Sequence, residues 1–258
     1  MVTHAPPAPD PRSALYRLLA VGFRRPTPER FEVVRDGAYA DAIAGVVAAL
    51  PRLADAARAC EALRGSARAP GTPSWEEHVA EFERVFDRGA GRGLHESDHR
   101  PEVRATALRL ELDDLYREFR VARGDDAGRQ VLPDHLAAEL ALLSYVCFVE
   151  ASVRTQGDAE RVQGCLLAER ELLAGHLGRW VPALAARVAA AAPGSWFAAL
   201  SALAAAVLEK ELAHVERLFE PFERAHGERD GDDADPDPDR SAPEPVLLGP
   251  RGERLPWR

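Results

Sequence analysis

The chain has 258 residues, long enough for one large helical domain or two small ones, and 46% of them are hydrophobic against 29% charged, as in a globular protein with a real core. Acidic side chains outnumber basic ones 42 to 33, a net charge of −9. That balance disfavours nucleic acid as a partner, since gripping phosphates needs clustered Lys and Arg.

Residues 1–12 are rich in Pro and Ala, lack the apolar stretch of a signal peptide, and read as a flexible N-terminus. Ser13 is placed to cap a short helix carrying Leu15, Tyr16, Leu18, Leu19 and Phe23. The pair Arg24-Arg25 is followed by Pro26, Pro28 and Glu29 rather than by an apolar run, so it does not read as an export signal. Thr27-Pro28-Glu29 has the composition of a helix start: capping hydroxyl, proline in the first turn, acid near the positive end of the dipole. Helical patterns continue over 38–50 and 51–63, and 65–73 reads as a loop. Ser74-Trp75-Glu76-Glu77 is a capping box, opening a helix with Trp75, Val79, Phe82 and Phe86 on one stripe.

The segment 87–100 is rich in Gly, His and Asp and reads as a loop; a long helix is expected from Pro101 to about Ala122. Pro133-Asp134 should begin the most apolar helix, running to about Arg154 through Leu136, Leu140, Leu143, Cys147 and Phe148, in the centre of a bundle. Further helices are expected over 159–177, 180–191 and 195–222. No period-2 alternation flanked by turn residues occurs, so the fold class is all-α, a single multi-helix domain over 13–225. Apolar stretches such as 198–208 are too short to span a bilayer, and no membrane insertion is expected. The three cysteines, Cys60, Cys147 and Cys165, lack C-x-x-C spacing, which argues against disulfides and zinc knuckles and for a reducing compartment. Residues 226–258 begin with a dense run of acids and read as a largely disordered tail.

Two segments concentrate the chemistry: Gly93-Leu94-His95-Glu96-Ser97-Asp98-His99 and Pro133-Asp134-His135-Leu136-Ala137-Ala138-Glu139-Leu140. In the second, His135 and Glu139 are four apart and share a helix face. Pro133-Asp134-His135-Leu136-Ala137-Ala138-Glu139-Leu140 resembles the signature of the TorD/DmsD/NarJ redox-enzyme maturation chaperones. The aromatic helix Glu81-Phe82-Glu83-Arg84-Val85-Phe86 and the later His176-Leu177-Gly178-Arg179-Trp180-Val181-Pro182 stand where that family carries similar elements. The loop 94–99 keeps the family's Glu-Ser centre but has histidine where many members have tyrosine.

The resemblance implies an all-helical, cytoplasmic, non-enzymatic protein without a cofactor. It implies binding of the twin-arginine signal peptide, or the N-terminal segment, of a molybdenum-containing oxidoreductase catalytic subunit until cofactor insertion, and possible dimerisation by helix exchange. A receptor for such a segment needs carboxylates for guanidinium groups and an apolar groove beside them. Asp134, His135, Glu139, Leu136, Glu96, Asp98 and Phe86 are the candidate peptide-binding residues, with Asp134 and Glu139 supplying charge and His135 organising the site. The alternative for Asp134 and His135 is structural, tying the turn before the helix to a neighbour. His95 and His99, at H-x3-H spacing with acids nearby, also raise a metal site. The competing enzyme class is an all-α metal-dependent phosphohydrolase using His95, Asp98, His99, Asp134 and His135.

Overall fold

The computed structural model describes residues 10–68, 73–87, 93–122, 125–126 and 129–232. Eleven α-helices make up the described chain, with one antiparallel pair of two-residue strands, β1 (Asp125–Asp126) and β2 (Arg129–Gln130). Helix α1 (Pro11–Gly22) is capped by Asp10, whose carboxylate accepts from the Ser13 amide at 2.8 Å. The helical body therefore starts before Ser13, and Arg12, expected in a flexible leader, is buried. Helices α2 (Pro28–Arg35) and α3 (Ala38–Ala48) follow, α2 capped by Thr27 as its sequence requires. A 3₁₀ turn (Pro51–Ala56) leads into α4 (Ala57–Arg68), so residues 65–68 of the expected loop are helical, and 69–72 lie outside the described residues. The reciprocal capping box of Ser74 and Glu77 opens α5 (Trp75–Phe82), which continues as a π turn through Asp87.

The loop expected over 87–100 contains α6 (Glu96–His99), and the helix expected from Pro101 begins at Ala105 as α7 (Ala105–Glu118). Helix α8 (Leu136–Thr155) is capped by His135 rather than opened by Pro133-Asp134, so Asp134 lies outside the helix. Helix α9 (Ala159–Arg170), a π turn (Glu171–Leu177) and α10 (Gly178–Ala191) form one continuous helical run. Helix α11 (Trp196–Asp232) takes in the first acids of the segment read as tail; 233–258 lie outside the described residues.

The core forms where α8 packs on α1 and α9, and where α11 packs on α4, α9 and α10. Helix α8 is buried along most of its length, as its composition requires, although Phe148 is 52% exposed and pairs with the exposed Tyr145. By length and apolarity α8 is also long enough to cross a membrane, contrary to the expectation from 198–208, but two-thirds of that span is packed inside the fold. The three cysteines are buried and free.

A charged cluster lies inside this core. The Arg12 guanidinium donates to Glu150 at 3.1 Å, to Glu211 at 2.8 Å and to Glu169, joining α1 to α8, α11 and α9. Arg52 and Tyr16 also donate to Glu211, at 2.5 and 3.3 Å, and Arg154 to Glu150 at 2.7 Å. Arg12 is the cation common to the three buried carboxylates, and its removal would take the cation from Glu169 while Glu211 keeps Arg52 and Glu150 keeps Arg154.

Candidate functional site

Three segments distant in sequence meet at the start of α8. The Glu96 amide donates to Asp134 O and the Leu136 amide to Leu94 O, both at 2.8 Å, so His95 and His135 face each other in an isolated antiparallel bridge. Their rings sit edge to face, 5.0 Å apart. This pairing turns Asp134 inward, where it is 0% exposed. One carboxylate oxygen accepts from Arg109 Nε at 3.0 Å and from His95 Nδ1 at 3.3 Å; the other accepts from Ser97 Oγ at 2.6 Å. Burial opposes ionisation, but these three hydrogen bonds outweigh it and hold the Asp134 carboxyl well below the usual range. His135 Nδ1 accepts from the Ala137 amide at 3.1 Å, which satisfies an orphan donor of α8 and requires the neutral ring with its proton on Nε2.

The third segment arrives through the π turn before α10. Glu96 is sealed, accepting from Arg100 at 2.7 Å and from His176 Nδ1 at 2.8 Å, and Arg100 also donates to Gly175 O at 2.8 Å. The wide turn presents His176 to Glu96 and requires glycine after it: a Cβ on Gly178 would lie 2.4 Å from Leu173 O, the acceptor of the Gly178 amide. Trp180, one turn on, packs against His99 at 5.0 Å. Glu139 is 0% exposed with neither carboxylate oxygen hydrogen-bonded among the described residues; burial, with Glu96 nearby, pushes it well above the usual range.

The proposed peptide ligands thus fall into two groups. Asp134, Glu96, Glu139, Leu136 and Phe86 are buried, Asp134 and Glu96 against donors of this chain. Phe86 packs against Phe82, Phe23 and Phe197 in the core. His135 is partly exposed and Asp98 exposed, the latter accepting from the Gly93 amide at 3.2 Å. The metal and phosphohydrolase arrangements are not formed: His99 Nε2 donates to Gly93 O at 2.9 Å, away from the His95 bond to Asp134. Among the described residues no three His, Cys, Asp or Glu side chains converge for a metal ion. Sequence reasoning missed Arg109, Arg100 and the Glu96–His176 contact; their only local trace was the excess of acids in 96–98 and 134–139, which buried acids must balance with donors.

An open apolar pocket lies elsewhere. A pocket of about 210 Å³ lies between the end of α1, α2, the start of α3, α5 and the start of α11, walled by Val21, Phe31, Val34, Tyr39, Trp196 and Phe197. His78 lines it, stacked on Phe197 at 4.9 Å and flanked by Phe31 and Trp196. Its ring makes no hydrogen bond among the described residues, and burial pushes its pKa down to about 4, so it is neutral. Tyr39 Oη donates to Leu18 O at 2.6 Å, fixing the adjoining wall. Of the stripe Trp75, Val79, Phe82 and Phe86, both phenylalanines are core, and the ring that α5 turns to the pocket is His78, which the sequence reading did not single out.

The model of the nitrate reductase delta subunit family matches residues 43–186, more than half of the chain and including all three segments that meet at the start of α8. The chain belongs to that family. The resemblance to the TorD/DmsD/NarJ maturation chaperones stands with it. Curated relatives of this family member include a chlorate reductase assembly chaperone of Ideonella dechloratans, 36% identical over 40% of the chain and 53% of the relative. A selenate reductase assembly chaperone of Thauera selenatis is 33% identical over 43% and 57%. The chain thus spans little more than half the length of these two. A perchlorate reductase assembly chaperone of Dechloromonas aromatica (strain RCB) is 29% identical over 81% of the chain and 91% of the relative. No solved structure matches.

Proposed function

We propose that this protein is a cytoplasmic, non-catalytic maturation chaperone for the catalytic subunit of a molybdenum-containing oxidoreductase. In this reading it holds the client's N-terminal segment, a twin-arginine leader or its equivalent, until the cofactor is inserted. The relatives' names support an assembly role. The observation that carries the reading to this chain is the open aromatic pocket over His78, in a chain whose acid–histidine motifs are engaged internally at a different place.

The motif residues act in this reading as the scaffold. Asp134, Glu96 and His176 lock α6, the start of α8 and the π turn together, while His95, His135 and Asp98 remain at the surface beside them. The pocket receives one large apolar side chain: an engineered cavity of about 150 Å³ admits benzene, and burying a Leu or Phe side chain contributes about 1.5–3 kcal/mol. The neutral His78 ring supplies one donor and one acceptor for the backbone of the bound segment.

Affinity capture of the tagged full chain from its own cells, with and without molybdate, tests this. An oxidoreductase catalytic subunit is expected in the eluate, enriched when cofactor is withheld. Recovery of no oxidoreductase subunit under either condition would sink the proposal.

A further inference from the structure

The rim of the pocket carries an arginine already seated on acids. Arg25 lies between Arg24 and Pro26, both of which line the pocket. Its guanidinium donates to Asp87 at 3.0 Å and to Glu83 at 2.9 Å, a fork across the π turn that extends α5. The same run of α5 carries His78. Arg25 is 52% exposed and Asp87 44%, so the contact lies in water and contributes little to stability. The two acids are nonetheless positioned to hold a guanidinium, because they hold one now.

We infer that Arg25 is a built-in placeholder: its guanidinium occupies the Glu83–Asp87 pair that receives an arginine of the client segment, whose neighbouring apolar side chain fills the pocket over His78. The inference rests on the reading above that this pocket holds the client. The exchange is chemically neutral, one guanidinium leaving a carboxylate pair as another arrives. Arginine-bearing segments then gain from pairing only the difference between their contact and that of Arg25. The placeholder thereby lowers affinity for arginine alone and leaves discrimination to the apolar side chain beside it. It also keeps the acids paired when no client is bound. A tether that merely orders the 24–30 rim would act differently, since its loss would weaken every ligand of the pocket alike.

Fluorescence anisotropy of the full-length protein separates these cases. The probes are a labelled peptide with two adjacent arginines followed by an apolar run, and the same peptide with both arginines replaced by glutamine. Arg25→Ala should tighten the arginine peptide roughly threefold, the equivalent of releasing a weak exposed pair, and leave the glutamine peptide unchanged. Arg25→Gln should behave the same way. The double substitution Glu83→Gln/Asp87→Asn should weaken the arginine peptide to the level of the glutamine peptide. All the altered side chains are partly or largely exposed, and melting curves verify that the variants fold. Equal binding of the two peptides to the Arg25→Ala variant, or weakening of both by Arg25→Ala, overturns the placeholder while leaving the pocket reading intact. If neither peptide binds any variant, the pocket reading itself falls and the placeholder with it.

Discussion

Replacing Asp134 by alanine tests whether the signature acid is a scaffold or a contact. The carboxylate is 0% exposed and accepts from Arg109, His95 and Ser97. Removing one member of a buried, hydrogen-bonded charge pair typically costs about 3–5 kcal/mol. Here Arg109 is 34% and His95 31% exposed at the side chain, so both can turn to water and recover part of that loss. We expect a destabilisation of about 2–4 kcal/mol, and hence a fall in Tm of roughly 5–15 °C for a chain of this size. The pH dependence carries a second signature. The folded-state pKa lies below the unfolded value of about 3.9, so the contribution of Asp134 is present above that pH and is lost as pH falls through it. The difference in melting temperature between wild type and Asp134→Asn should accordingly shrink between about pH 5 and pH 3. Circular-dichroism melts across that range, paired with binding of the arginine peptide, provide the assay. Melting within about 1 °C of wild type would refute the scaffold argument, since loss of a well-satisfied buried carboxylate cannot be that mild. Unchanged melting with binding abolished would make Asp134 a direct ligand.

Burial pushes the Glu169 carboxyl up to about 7 against the pull of Arg12, so the folded protein holds that proton more tightly than the unfolded chain. Stability should therefore decline as pH rises from about 4.5 towards 7 and be level above, by an amount on the order of 3 kcal/mol; Glu169→Gln should flatten that slope in melts taken at several pH values. Gly178→Ala places a methyl against Leu173 O, and should cost about 1–3 kcal/mol by denaturant titration, with loss of the His176–Glu96 contact. Arg12→Met removes the cation shared by three buried acids, and should cost at least about 3–5 kcal/mol, read as insoluble expression or a much lowered Tm.

Local chemistry determined a good deal of this protein. Alanine- and leucine-rich periodicity specified helices, because side-chain entropy and a repeating apolar face act within a few residues of the chain. Ser74 and Glu77 marked the start of α5, and Thr27 that of α2, for the same local reason. The segments 94–99, 133–140 and 176–182 were recognisable as a set, and the structure brings them together at one junction. Their orientation was not legible. Whether Asp134 faces a client or the interior depends on Arg109, 25 residues away, and on the bridge between His95 and His135. Arg12 reads as part of a loose leader until Glu211, 199 residues distant, is placed against it. Helix periodicity says which face is apolar but carries no record of which charged group on another helix will meet it, and an ionised acid is bearable inside only when that partner arrives. The pocket over His78 exists for a similar reason: five helices approach without filling the space between them, and no one of them encodes that gap.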